Sequence, residues 1–273
     1  MSAFRAACVQ LRSSDDVAQN IEITSELVRE ARALGAEFIA TPENTTLMAP
    51  DGGAKLERSF SEDADPALPA FRALAEELGV WLLIGSLAIK VSATKTANRS
   101  FLIDAKGRIA ARYDKIHLFD TDPGSGERYR ESNTVEGGRR AVTADLPWGR
   151  LGMTICYDLR FARLYRKLAQ AGAMVLSVPS AFTETTGKAH WHVLLRARAI
   201  ENGAFVIAPA QGGTHANGRQ TYGHSLIIAP WGEILAEAGT EPGVIVADVD
   251  PAAATSARSR VPSLSHDREF EGP

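Results

Sequence analysis

A cysteine, a glutamate and a lysine in this sequence each stand at the end of an apolar segment that is typical of a β-strand. Cys156 closes the run 151–156, and Glu43 and Lys115 follow two earlier runs. In a layered fold with parallel strands, the carboxyl ends of the strands open onto one crevice, so the three side chains could share a site. A carboxylate can take the proton of a thiol, and an ammonium group can stabilise an oxyanion. Together these residues would be sufficient for acyl transfer to a cysteine nucleophile.

Each of these residues also has a purely structural interpretation. A buried cysteine is often an inert, small apolar side chain, and we predict this for Cys8, which stands among alanine and valine. For Cys156 the sequence by itself leaves catalysis and packing open. Strand-end glutamates and lysines commonly cap loops or form surface ion pairs. A catalytic role for Glu43 and Lys115 therefore depends on the role of Cys156.

The composition is that of an ordinary globular protein. The chain has 273 residues, of which 45% are apolar and 23% are charged, and this is enough to form one large core. We predict a single domain over 1–273, with a core of about 4–249 and a C-terminal tail of about 250–273. The net charge is −3, and the interspersed charges form no basic patch, which argues against a nucleic-acid partner.

Neither a membrane anchor nor an export signal is predicted. The longest apolar segment, 80–89, is broken by a glycine and a serine and is much shorter than the roughly 20 residues that a spanning helix needs. The first ten residues resemble a strand more than a signal peptide. Cys8 and Cys156 form no disulfide framework. We therefore expect a cytoplasmic protein with reduced cysteines and no membrane partner.

Apolar strand patterns alternate with amphipathic helical patterns along the chain, which indicates an α/β fold rather than a helical bundle or a β-sandwich. The polar segments 45–65 and 120–138 are predicted as loops, with at most a short helix near Leu56. The clearer helical patterns lie between predicted strands. They cover 17–34, 66–78, 161–171 and 188–201.

Four segments that contain the candidate residues resemble the successive motifs of the carbon-nitrogen hydrolase (nitrilase) superfamily. They are 42–44 (Pro-Glu-Asn), 113–119 (Tyr-Asp-Lys-Ile-His-Leu-Phe), 130–132 (Arg-Glu-Ser) and 155–161 (Ile-Cys-Tyr-Asp-Leu-Arg-Phe). They occur in the order in which that family has them. The similarity extends from the first predicted strand to about Val249.

The resemblance implies a role for a residue in each motif. Cys156 would be the nucleophile, Glu43 the general base, and Lys115 would stabilise the tetrahedral intermediate. Glu131 would orient the lysine and help to shape the site. The resemblance also implies a four-layer αββα sandwich that forms a homodimer or a higher homo-oligomer through helices beside the site.

The residues after the cysteine narrow the expected reaction. True nitrilases have Trp and Glu at the positions of Tyr157 and Asp158, so the resemblance favours hydrolysis of an amide over a nitrile. Segments 181–183, 195–201 and 222–225 are most similar to the amidases that remove ammonia from deaminated glutathione. Omega-amidases share most of these segments, so the preference rests mainly on 212–215 (Gly-Gly-Thr-His) before 219–222 (Arg-Gln-Thr-Tyr). The related omega-amidases, which act on short 2-oxo dicarboxylate monoamides, remain an alternative. A non-catalytic ligand-binding or scaffold member of the fold is the alternative from another class.

Four further residues are candidates for substrate binding. Arg160 could hold a substrate carboxylate bidentately, although a structural ion pair at a helix start explains it equally well. Tyr157 adjoins the nucleophile in sequence. Phe182 and Thr183 follow another strand end and could line the pocket, with core packing as the alternative for Phe182.

Neither a metal site nor a cofactor site is predicted. His190 and His192 are two residues apart and would point to different sides of a helix. The sequence has no His-Glu-x-x-His motif and no paired cysteine spacing. The expected partner is therefore a small-molecule amide substrate, and the resemblance likewise implies no metal or organic cofactor.

Overall fold

The computed structural model of the protein describes residues 2–124 and 127–272. Within these ranges the chain alternates between strands and helices in the predicted manner. The helices are α1 Val17–Ala33, α2 Gly52–Arg58, α3 Ala67–Leu78, α4 Ala162–Gln170, α5 Glu184–Asn202 and α6 Pro251–Arg260. The strands are β1 Phe4–Gln10, β2 Phe38–Ala40, β3 Trp81–Lys90, β4 Thr96–Ile103, β5 Ile109–Asp114, β6 Asp120–Gly124, β7 Glu127–Arg130, β8 Val135–Glu136, β9 Val142–Leu146, β10 Gly149–Met153, β11 Ala173–Ser177, β12 Phe205–Ala208, β13 Gly212–Thr214, β14 Gln220–Tyr222, β15 Leu226–Ile228, β16 Ile234–Glu237 and β17 Gly243–Val249. None of the described helices is both long enough and apolar enough to cross a membrane.

Most of the strands belong to two sheets. The first has the order β17-β1-β2-β3-β4-β5, with the short β8 beside β4, and the second has the order β16-β15-β12-β11-β10-β9. Parallel pairs lie at the centre of each sheet, β1 with β2 and β3 in the first, and β10 with β11 and β12 in the second. These parallel strands present their carboxyl ends at one edge of each sheet, as the sequence pattern requires for a shared site.

The two sheets pack face to face, and helices cover their outer faces. Helices α1 and α3 contact the first sheet, and α4 and α5 contact the second. Along β1, Phe4 and Cys8 belong to the apolar cluster between the sheets, while Ala7 and Val9 belong to the cluster under α1 and α3. This alternation is the period of two that a strand buried on both faces must show. The predicted α/β class and four-layer αββα arrangement are confirmed.

Cys8 lies in the core between the two sheets. The residue has no exposed surface, and its sulfur lies 3.6 Å from the carbonyl oxygen of Leu226. Burial raises the pKa of this thiol well above its usual value. The structure therefore agrees with the packing interpretation of Cys8.

The predicted loop over 120–138 is wrong. Its described residues form the paired strands β6 and β7, a 3₁₀ turn at Glu131–Asn133 and β8, and Ser125 and Gly126 lie outside the described residues. The segment 45–65 does contain a short helix, α2, near the expected place. The hairpin β13–β14 is also absent from the prediction. These strands are two to five residues long and largely polar, so no hydrophobic period identifies them.

Gly85 lies in β3 where this strand passes very close to two segments that lead into the site. A Cβ atom here would lie 2.0 Å from the carbonyl oxygen of Thr41 and 2.5 Å from a carbon of Pro179. We expect Gly85→Ala to lower the free energy of unfolding by about 3 kcal/mol, because backbone atoms cannot rotate away from the new methyl group. Urea unfolding measures this as a reduced midpoint. The control is Gly239→Ala, whose Cβ would meet nothing within 4 Å, and equal midpoints for the two variants would contradict the prediction.

Candidate active site

The ends of β2, β5 and β10 lead into one cleft of about 300 Å³. Glu43 lies three residues beyond β2, Lys115 follows β5 directly, and Cys156 lies three residues beyond β10. All three line the cleft, together with Glu131 from the turn after β7. Ligand pockets usually measure about 300–1,000 Å³, so this cleft suits a small molecule. The structure thus brings together the four residues that the sequence predicts to be catalytic.

Cys156 lies at a sharp turn between β10 and the 3₁₀ segment Cys156–Arg160. Its backbone φ angle is +48°, in the left-handed region that residues other than glycine rarely adopt. Its backbone N–H donates to the carbonyl oxygen of Pro179 at 2.9 Å. Such a conformation costs about 1–3 kcal/mol and persists only where the surrounding structure holds it. The strained turn places the cysteine in the wall of the cleft.

The ammonium group of Lys115 lies between two carboxylates. Its Nζ is 2.8 Å from Glu43 Oε1 and 2.9 Å from Glu131 Oε2. The lysine side chain is only 2% exposed. Burial acts to lower the pKa of Lys115, but the charges of Glu131 and Glu43 raise it well above its usual value. The lysine is therefore a fixed cation in the cleft wall.

The carboxylate of Glu43 contacts the lysine and lines the cleft together with the cysteine. Its Oε2 accepts a hydrogen bond from the backbone N–H of Ala181 at 3.0 Å. Burial acts to raise the pKa of Glu43, but the charge and hydrogen bond of Lys115 lower it to about 2. Burial and the charge of Glu43 raise the pKa of the Cys156 thiol. The resting site therefore holds a neutral thiol next to an ionised carboxylate that can accept its proton.

Asn98, in β4, joins the two glutamates and is a site residue that the sequence analysis missed. Its Nδ2 donates to Glu43 Oε1 at 2.8 Å and to Glu131 Oε1 at 3.1 Å. Glu131 Oε2 also accepts a hydrogen bond from the backbone N–H of Phe119 at 2.7 Å. Each carboxylate is thus held by a neutral donor as well as by the lysine. The only signal in the sequence is an asparagine within an otherwise strand-like run.

Asp158 connects the cysteine turn to the segment that carries the lysine. Its Oδ2 accepts hydrogen bonds from the Tyr113 hydroxyl at 2.6 Å and from the backbone N–H of the residue before Cys156 at 2.9 Å. Its Oδ1 accepts one from the backbone N–H of His117 at 3.1 Å. Tyr113 and His117 flank Lys115 in the sequence. Because the aspartate has no exposed surface, it fixes the cysteine relative to the lysine.

Three of the four predicted substrate-binding residues, Tyr157, Phe182 and Thr183, line the cleft. Arg160 is not among the lining residues. Its guanidinium group lies 5.8 Å from the ring of Tyr157 and 5.6 Å from the ring of Phe182, and its Nη1 lies 3.3 Å from His190 Nδ1. A cation near an aromatic face is attracted to it. In this structure Arg160 therefore supports two rings of the cleft wall.

Four cations that the sequence analysis did not select also line the cleft, namely Lys55, Arg128, Arg130 and Arg219. Lys55, in α2, donates from Nζ to Asn44 Oδ1 at 2.9 Å, and burial lowers its pKa. Arg219, just before β14, donates to the carbonyl oxygen of Ala181 at 3.0 Å, and its guanidinium group lies 5.4 Å from the ring of Tyr129. The Nε of Arg219 is buried without a hydrogen-bond partner among the described residues. It is a donor that a bound ligand could satisfy.

Sequence comparison relates the whole site to known proteins. Residues 5–259 match the sequence model of the carbon-nitrogen hydrolase family. The deaminated glutathione amidase of Synechocystis sp. (strain PCC 6803 / GT-S) is 42% identical over 270 residues, which are 97% of this chain and 98% of that relative. The human deaminated glutathione amidase is 38% identical over 96% of this chain and 81% of that relative.

Solved structures have the same fold. The NitFhit protein of C. elegans superposes with a TM-score of 0.92 at 34% identity, over 98% of this chain and 66% of that longer chain. Saccharomyces cerevisiae Nit3, a member of branch 10 of the nitrilase superfamily, gives a TM-score of 0.85 at 28% identity, over 96% of this chain and 95% of that chain. Residues 5–259, which match the family model, include every residue that lines the cleft.

Proposed function

This chain belongs to the carbon-nitrogen hydrolase family and is a hydrolase that acts on amides, and on that premise we propose that it removes ammonia from deaminated glutathione. The observation that supports this most is that Cys156, Glu43, Lys115 and Glu131 line one cleft, in which Lys115 contacts both carboxylates. This set is suited to the cleavage of an amide. Lys55 and Arg219, two of the further cations in the cleft wall, are suited to a substrate that carries a carboxylate.

The proposed reaction begins with attack by the sulfur. Glu43 takes the proton of Cys156 as the sulfur bonds to the amide carbon, and the carbonyl oxygen becomes an oxyanion. Lys115 and the backbone N–H of Tyr157 stabilise this oxyanion. The proton on Glu43 then passes to the leaving nitrogen, the C–N bond breaks, and ammonia leaves a thioester on Cys156.

Water completes the proposed cycle. Glu43, again ionised, takes a proton from a water molecule whose oxygen attacks the thioester carbon. The C–S bond breaks, the proton returns from Glu43 to the sulfur of Cys156, and the carboxylic acid is released. Glu131 acts through its contact with Lys115, which it holds in place, so we assign it a positioning role.

The choice of substrate is tested by comparing kcat/KM for ammonia release from four compounds. They are deaminated glutathione, 2-oxoglutaramate, an N-carbamoyl amino acid and a simple nitrile. We expect deaminated glutathione to have the highest kcat/KM. A higher value for 2-oxoglutaramate would assign omega-amidase activity instead, and a folded protein that releases ammonia from none of them would favour the non-catalytic alternative.

Arg219 should contribute to substrate affinity through the carboxylate. We expect Arg219→Gln to raise the KM for deaminated glutathione by about 10–100-fold with a smaller change in kcat, because hydrogen bonds to charged groups contribute about 1.5–3 kcal/mol. Steady-state kinetics measure this, with a short neutral amide as the control substrate and Lys188→Gln, on the exposed face of α5, as the control variant. Equal increases in KM for the charged and the neutral amide would contradict a carboxylate contact.

We also propose that the protein forms a homodimer or a higher homo-oligomer through α5. Val193 and Ile200, seven residues apart on this helix, are 68% and 54% exposed, and large apolar side chains exposed along one helix are suited to burial against a second copy of the chain. Light scattering that gives the mass of one chain would contradict this proposal.

The proposed domain count and compartment rest on other observations. The apolar cluster shared by both sheets supports a single domain. The two free cysteines suit the reducing cytoplasm.

A further inference from the structure

Two histidines and a glutamate meet on the protein surface, away from the residues that line the cleft. His192 Nε2 and His224 Nδ1 each lie 2.9 Å from the same oxygen, Glu237 Oε1. All three potential ligand atoms lie within 4.8 Å of one another. The three side chains are between 27% and 38% exposed. Solvent and dissolved ions can therefore reach the group.

The three residues come from separate elements of the fold. His192 is in α5, His224 is in the connection between β14 and β15, and Glu237 ends β16. They are 32 and 13 residues apart in sequence, as the numbering shows. The expectation that no metal site exists rested on local spacing, and such spacing cannot reveal ligands that only the fold brings together.

His224 is held in place by its backbone and by its ring. Its φ is +52°, again in the left-handed region. Its backbone N–H donates to the carbonyl oxygen of Gly239 at 2.8 Å, and its own carbonyl oxygen accepts from Trp191 Nε1 at 2.7 Å. The ring stacks on Tyr222 with centroids 4.4 Å apart. The imidazole therefore faces Glu237 in a fixed orientation before any ion is bound.

The backbone strain at His224 is a second, independent observation. Among the described residues, only Asn44, Cys156 and His224 have a positive φ without being glycine. The first two line the cleft. Strain of this kind persists only where the surrounding structure holds the residue in place, and it is common at functional sites. The strain therefore agrees with a fixed position for the His224 imidazole beside Glu237.

We propose that His192, His224 and Glu237 bind a divalent transition-metal ion, and that zinc is the ion that fits best. Two imidazole nitrogens and one carboxylate oxygen are a ligand set that zinc accepts, with water in the remaining position. Ligand atoms bound at about 2.0–2.1 Å in a tetrahedron lie about 3.4 Å apart. The two contacts of 2.9 Å need to open by about half an ångström to admit the ion, and the two ring nitrogens, which lie within 4.8 Å of each other, need to adopt the same separation.

Binding needs no change in the net charge of the two rings. A carboxylate oxygen can only accept, so in the metal-free arrangement each ring donates an N–H to Glu237. When the ion enters, that proton moves to the other nitrogen of the ring by exchange with solvent, and the freed lone pair binds the metal. The bound ion would connect α5 to β16 and to the connection between β14 and β15, which stabilises the folded state.

The experiment titrates metal-free, tag-free protein with zinc chloride. Calorimetry measures the number of zinc ions bound and the melting temperature. The parent protein carries Cys156→Ala so that the reactive thiol cannot take the metal. We expect one zinc ion for each chain and a melting temperature that rises by several degrees in excess zinc. Magnesium chloride should produce neither effect, because magnesium prefers oxygen ligands.

Single substitutions locate the binding site. His192→Gln and Glu237→Gln, on two different elements, should each weaken zinc binding by about 100-fold, and circular dichroism verifies that both fold. His190→Gln is the matched control, since His190 is exposed on the same helix and contacts Arg160 instead. An absence of saturable zinc binding in the parent would overturn the proposal. Unchanged affinity in both folded variants would also overturn it.

Discussion

Cys156→Ala is expected to abolish ammonia release from every amide that the protein hydrolyses, with a decrease in kcat of at least about 10⁴-fold. Without the sulfur no thioester can form, and Glu43 would have to activate water against an amide directly. The substitution removes one buried atom and leaves the network of Glu43, Lys115 and Glu131 intact. The fold should therefore persist, and ammonia release by the purified variant is the direct measurement.

The protein contains its own control for this experiment, because its only other cysteine is Cys8. Cys8→Ala makes the same chemical change in the core between the sheets and should leave kcat unchanged. Intact-mass spectrometry after rapid mixing with substrate should show a thioester adduct on the parent protein and on Cys8→Ala, but none on Cys156→Ala. Turnover that survives in Cys156→Ala, or an adduct on that variant, would exclude Cys156 as the nucleophile.

Lys115→Met is expected to have the second large effect, on both catalysis and stability. Removing a donor to an oxyanion usually lowers kcat by about 10²–10³-fold. The variant would also leave Glu43 and Glu131 buried together without their cation. Breaking a buried ion pair by removing one partner costs about 3–5 kcal/mol. Ammonia release and urea unfolding at pH 8 measure the two losses.

The stability loss in Lys115→Met should depend on pH in a definite direction. In the parent, the pKa of Glu43 is lowered to about 2, so this residue contributes stability above the pKa of about 4.3 of an unfolded glutamate. In the variant, burial without a cation raises the pKa of Glu43 above 4.3, and ionisation then opposes folding. The difference in the free energy of unfolding should therefore increase from pH 4.5 to pH 8. Lys188→Met, which removes an exposed ion pair, should change stability by less than about 1 kcal/mol at any pH, and a pH-independent loss in Lys115→Met would contradict this account.

The sequence predicts the layered fold well where elements are long and periodic. The predicted helices over 17–34 and 66–78 correspond to α1 and α3 within two residues, because their apolar positions recur with the helical period. The strands β6 and β7 have no such period, because they are short and largely polar. The four-layer arrangement followed only from the family resemblance, because strand patterns do not specify which sheet packs on which.

The sequence predicts the site residues whose side chains are charged or nucleophilic and follow the end of a strand pattern. Glu43, Lys115 and Cys156 are of this kind, and the resemblance added Glu131. Asn98 and Arg219 could not be found in the same way, because an asparagine in a strand and an arginine in a turn have many other uses. Their place in the cleft depends on pairing between segments that are distant in sequence.

The neutral resting state of the Cys156 thiol has a consequence for how the protein tolerates oxidants. Peroxides and alkylating reagents react with the thiolate, and a sulfur that keeps its proton is oxidised slowly. The raised pKa of Cys156 therefore favours the less reactive thiol form of the nucleophile. An inhibitor of this protein would need to resemble an amide before it could react as an electrophile.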